Sequence, residues 1–72
     1  MTELGKYFAK KSVNRSDISR KTGISKTRLS ELANNKATQL RVKELYLISL
    51  AIDEDPGVLI KHVCKNLTLP KK

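Results

Sequence analysis

Lys26, Thr27 and Arg28 follow directly on Ser25, a residue type suited to capping the start of a helix. In the first turn of such a helix, the Lys and Arg side chains can donate to paired acceptors such as O6 and N7 of guanine. The Thr methyl suits the methyl group of thymine. Glu31, about one turn further on, offers only acceptors. It either accepts from an amine such as cytosine N4 or pairs with Arg28 three residues earlier. Other reactive types do not assemble into a site. His62 and Cys64 are two positions apart and diverge by about 200° on a helix, and one Cys with one His makes no metal site. Asp53, Glu54 and Asp55 are followed at once by Pro56, without further ligands at calcium-loop spacing, so helix capping is the better account. No nucleophile–base pair, metal set or phosphate-cradling glycine loop is present, and no catalytic residue, metal or cofactor is assigned.

The elements that must position these side chains are helices, since no segment alternates well enough for a strand. Thr2 caps a first helix with Leu4, Tyr7 and Phe8 on one face. Asn14 caps a second, with Asp17 at its third position favourably placed against the helix dipole, Ile18 inward, and Gly23 as its stop. Ser25 caps a third helix, residues 25–33, with Leu29, Leu32 and Ala33 inward. Asn34-Asn35 is its expected stop, because Asn tolerates positive φ. A fourth helix over about residues 42–52 is apolar nearly all round, so cover on more than one side is expected. Asp55 caps the last helix and Pro56 takes its first turn. Leu59, Ile60, Val63 and Leu67 are expected to form one stripe, with Cys64 as a small core residue and His62 at the edge.

Within this series, residues 15–34 form a unit. Ser19 is a small residue near the middle of the second helix that permits a close, steep crossing, Gly23 makes the turn, and Ile24, Leu29 and Leu32 lock it. The outer face of the third helix is then free to enter a major groove.

Composition points the same way. The 72 residues hold 15 Lys and Arg against 7 Asp and Glu, a net charge of +8. That favours a polyanion, with nucleic acid ahead of membrane. The excess is concentrated in residues 1–40, with nine basic and three acidic side chains, against six and four in residues 41–72. One unpaired Cys fits a reducing compartment. No apolar run reaches the roughly 20 residues of a bilayer span and no signal peptide heads the chain, so a cytoplasmic location is expected. So short a chain has little room for a buried small-molecule substrate cavity. One domain over residues 1–68 and a flexible basic tail at 69–72 are expected.

On this pattern, residues 14–52 resemble the Cro/repressor (Xre-type) helix-turn-helix family, and Leu32-Ala33-Asn34-Asn35-Lys36 resembles that family's loop after the recognition helix. The resemblance implies an all-α, compact five-helix, lambda-repressor-like domain that binds double-stranded DNA through the helix at 25–33. It further implies base contacts from Lys26, Thr27 and Glu31. Ser25 and Arg28 fall at the groove edge near phosphate, and Arg15, Asn34 and Lys36 where the sugar-phosphate backbone is gripped. Arg41 falls where the family often sends a basic side chain toward the backbone or minor groove, although plain solvation is its alternative. Asn35 departs from the more usual Gly, and Phe8 and Ala33 stand where some relatives place a buried ion pair, so an apolar contact is expected there.

The function these observations imply is sequence-specific transcriptional regulation, most simply repression. Two alternatives are a DNA-binding antitoxin of a toxin–antitoxin pair and a protein-interaction module in which the apolar surface of the last two helices docks a partner. That surface is either covered within the chain or shared in a homodimer.

Overall fold

In the computed structural model, which describes residues 1–70, five helices pack around one core: α1 Glu3–Lys11, α2 Arg15–Thr22, α3 Lys26–Asn34, α4 Val42–Ala51 and α5 Pro56–Val63. No strand occurs among the described residues. The inward positions of each helix meet in the core, where Leu4, Tyr7, Phe8, Ile18, Leu29, Leu32, Ala33, Leu45, Ile48 and Leu59 are all buried. Phe8 and Ala33 supply the expected apolar filling between α1 and α3.

Start signals written in the sequence act as capping chemistry requires. The Asn14 carboxamide accepts from the backbone N–H of Ser16 and Asp17, and the Ser25 hydroxyl accepts from Arg28. The Asp55 carboxylate accepts from Val58, with Pro56 in the first turn of α5. Gly23 ends α2 at φ 81°, a left-handed conformation that costs a residue with Cβ about 1–2 kcal/mol.

Thr2 has a double role. Its hydroxyl accepts from Gly5 N–H at 3.0 Å, capping α1, and donates to the carbonyls of Leu32 and Ala33 at 2.7 and 2.9 Å. The Thr2 N–H adds a 2.8 Å bond to the Ala33 carbonyl. One residue thus starts α1 and satisfies two carbonyls in the last turn of α3, which have no partner inside their own helix. The close approach leaves no room beside Gly5, where a Cβ would lie 2.1 Å from the Ala33 carbonyl oxygen.

Four expectations are corrected. Asn35 is not left-handed but extended, at φ −106°, because its side-chain oxygen accepts from Ala37 N–H and builds a turn of its own. Leu67 lies beyond the end of α5 and is exposed, so the stripe stops at Val63. Ile60, expected in that stripe, is 43% exposed. Cys64 is half-buried at the end of α5 rather than in the core.

α4 is covered on two sides, by α2 and α5, as expected, and its remaining outer face is open. Leu45 and Ile48 are buried, but Val42, Tyr46 and Leu50 are 80%, 53% and 54% exposed. Their spacing of four residues sets them in one stripe. At the other end of the core, Tyr7 donates its hydroxyl proton to Glu54 and packs edge-on against His62, with ring centroids 4.8 Å apart. Burial and the Glu54 carboxylate push the Tyr7 phenol up to about 12. The acidic run at 53–55 is therefore structural: Glu54 braces α1 and Asp55 caps α5. Of the expected basic tail at 69–72, Leu69 and Pro70 have no regular structure, and Lys71 and Lys72 lie outside the described residues.

Candidate nucleic-acid interface

α2 and α3 are joined by Gly23, Ile24 and Ser25. Ile24 packs against the core, and Leu29, Leu32 and Ala33 on the inner side of α3 are buried. The inner side is thus spent on α1 and α2, and the opposite side of α3 faces solvent. Lys26, Thr27 and Glu31 are all exposed there. Thr27 and Glu31, four residues apart, share one face.

The first turn of α3 breaks a local electrostatic preference. A helix N-terminus carries partial positive charge and favours acidic side chains. α1 and α4 obey with Glu3 and Glu44, and α2 with Asp17, but α3 has no acid in its first turn and holds Lys26 and Arg28 instead. The dipole and the charge of Lys26, unpaired among the described residues, therefore combine into a positive field directed outward, while Arg28 turns its charge to a partner within the protein.

The remaining cations flank this turn. Arg15 is half-buried at the start of α2, Lys36 is exposed in the connection after α3, and Arg41 is exposed as the residue preceding α4. Among the described residues, Arg15, Lys26, Lys36 and Arg41 pair with no carboxylate, while Asp17 is taken by Arg20 at 2.7 Å. Asn34, the last residue of α3, is exposed, and Ser25 is exposed with its oxygen engaged as the cap.

Arg28 is placed differently. Its Nε and Nη2 donate to the two oxygens of Glu44 at 2.8 and 2.9 Å, and Nη2 also donates to the Gln39 carbonyl at 2.9 Å. Glu31 forms neither a hydrogen bond nor an ion pair with Arg28 and acts on it only at longer range. The hydrogen bond from Arg28 holds the Glu44 carboxyl below the usual carboxylate range, and Glu44 in turn raises the Arg28 guanidinium. Glu44 also accepts from the Arg41 N–H at 3.0 Å, while the Arg41 side chain, having no acceptor, supplies no cap. Sequence reasoning missed Glu44 and Gln39. The one available signal was the spacing of Glu44 three residues after Arg41, where an acid reaches back to the backbone at the start of a helix.

A short helix pair with a tight glycine turn, whose second helix presents an exposed cationic first turn, defines a helix-turn-helix DNA-binding domain. A family model described as the Cro/C1-type HTH DNA-binding domain matches residues 3–65, and the chain belongs to that family. No curated protein and no solved structure matched it.

Proposed function

We propose that the protein is a transcriptional regulator, acting as a repressor, that reads a DNA sequence by placing α3 in the major groove. The observation that carries this reading is Lys26, exposed and paired with no carboxylate among the described residues, in the first turn of α3, where the helix dipole disfavours a cation. Lys26 and Thr27 are the base readers, with Glu31 on the same face as an acceptor for a cytosine amine. Arg15, Ser25, Asn34, Lys36 and Arg41 grip the sugar-phosphate backbone on either side and set the register.

The exposed apolar stripe of α4 supports a second element of the reading, a homodimer on a two-fold site. Val42, Tyr46 and Leu50, with Leu47 beside them, form a face that a second copy covers symmetrically. The same face would serve a protein partner of the antitoxin kind, and the composition of the purified complex separates the two.

The test is selection of a preferred duplex from a randomised pool, followed by anisotropy titration over a salt series. Lys26→Ala and Thr27→Ala each lower discrimination by about 1–3 kcal/mol at one or two base pairs. Lys36→Ala weakens all duplexes alike and flattens the salt dependence by about one phosphate contact. Full wild-type preference in the Lys26 and Thr27 variants would show that α3 does not read bases.

A further inference from the structure

We propose that Arg28 is a positioning residue, and that its clamp onto Glu44 and the Gln39 carbonyl sets the base selectivity of α3. This rests on α3 being the reading helix. The resemblance to the family places Arg28 near phosphate, but its geometry gives it other work. Nε and Nη2 are both committed, over three hydrogen bonds of 2.8–2.9 Å to acceptors 11 and 16 residues away.

Releasing Arg28 to a phosphate is disfavoured from the other side of the pair. The Glu44 side chain is only 14% exposed, and it would be left as a largely buried carboxylate without its cation. Breaking such a pair by withdrawing one partner is strongly unfavourable. The bidentate geometry strengthens the pair further.

The clamp joins two helices whose backbones do not pack on each other. α3 packs on α1 and α2, whereas α4 packs on α2 and α5. Arg28 is the third residue of α3 and Glu44 the third of α4, so the pair connects the first turns of two helices that do not pack on each other. The bond to Gln39 adds the connection between Lys36 and Arg41. Lys26 and Thr27 on one side, and Lys36 and Arg41 on the other, are thereby held as one body. The phosphate grip then dictates where the base-reading side chains meet the groove. Loosening the clamp lets the two sets move independently, so that base contacts lose their register while the number of phosphate contacts stays the same.

The experiment measures affinity for the selected duplex and for a duplex altered at the position read by Lys26 or Thr27, across a salt series. Wild type is compared with Arg28→Ala, Arg28→Lys and Glu44→Gln. Glu44→Gln keeps an acceptor for the Arg41 N–H, and a thermal melt establishes that each variant is folded. Should Arg28→Ala fail to fold, the other two variants carry the test. The expected result is discrimination reduced about fivefold or more in every folded variant. The slope of log K against log salt stays within about 0.3 of wild type, because no phosphate contact is lost. A slope flatter by about 0.9 in Arg28→Ala would make Arg28 a phosphate ligand and overturn the proposal. Wild-type discrimination in Arg28→Lys, or tighter binding to both duplexes with discrimination intact in Glu44→Gln, overturns it equally. A wild-type protein without any sequence preference is a different failure, visible before any variant is made, and it overturns the reading of α3 itself.

Discussion

Replacing Gly5 with Ala tests the docking of α1 on the end of α3. On helix propensity alone the change should help, by about 0.5–1 kcal/mol, because Gly5 lies inside a helix. Packing says the opposite. A Cβ at this position would stand 2.1 Å from the Ala33 carbonyl oxygen and 3.0 Å from its carbon. Ordinary contact requires the two backbones to separate by roughly 1 Å, and backbone cannot rotate aside as a side chain does. The separation strains the bonds from the Thr2 N–H and hydroxyl to Ala33, now 2.8 and 2.9 Å, each worth about 1 kcal/mol. Overpacking adds about 1–3 kcal/mol. After the propensity gain is subtracted, the net loss is about 2–4 kcal/mol, against a total of about 4–11 kcal/mol for 72 residues. The midpoint of a thermal melt followed by circular dichroism should fall by about 10–25 °C. A variant melting at or above the wild-type temperature would show that α1 is not seated against the Ala33 carbonyl, and that propensity rather than packing governs this position.

Tyr7 gives the fold an alkaline limit. Its proton is retained in the folded state to about 12, against an ordinary value near 10. Below pH 10 both states hold the proton and the contribution is complete. As pH rises from 10 to 12 the unfolded chain releases a proton that the folded chain keeps, so stability falls across that window. The difference between wild type and Tyr7→Phe, followed by denaturant titration, isolates the effect, and parallel pH profiles would refute it. On the apolar face of α4, Tyr46→Glu or Leu50→Glu should convert a dimer to a monomer in sedimentation while changing the unfolding free energy of the monomer itself by no more than about 0.5 kcal/mol, since both side chains are more than half exposed. Unchanged mass in a wild-type dimer would remove α4 from the interface.

Much of this architecture was legible because its signals are local. Capping by Thr2, Asn14, Ser25 and Asp55 depends on a side chain reaching a backbone N–H two or three residues away, and spacing alone reveals that. Gly23 was legible for the same reason: a turn between two amphipathic helices needs a left-handed residue where only glycine is unstrained. What escaped the sequence depends on distant partners. Thr2 reads as the cap of α1, but its donation to Leu32 and Ala33 crosses about thirty positions. Arg28 has Glu31 within helical reach, yet its carboxylate is Glu44, on another helix. Asn35 was misread because two local options compete. Its side chain can support positive φ, or it can accept from the N–H two residues on, and the second prevails. The outward placement of Thr27, Glu31 and Asn34 followed from helical periodicity, whereas the backbone-contact candidates outside α3 came only from the resemblance to the family.

These distant contacts share a consequence for recognition. α3 is fixed at its last turn by Thr2, along its inner side by Leu29, Leu32 and Ala33, and at its first turn by Arg28. None of the three anchors uses the outward side chains. Lys26, Thr27 and Glu31 are thus relieved of structural duty, and their side chains are exposed and free for other contacts. The same separation explains why a cationic first turn is tolerated. Its unfavourable interaction with the helix dipole is at most about 1 kcal/mol per charge, and for Arg28 the Glu44 pair offsets it within the protein. For Lys26 no carboxylate does so among the described residues, and a polyanion is the ligand that would. Within this turn, then, Lys26 keeps an unpaired charge facing outward, while Arg28, two positions on, spends its charge inside the protein on Glu44.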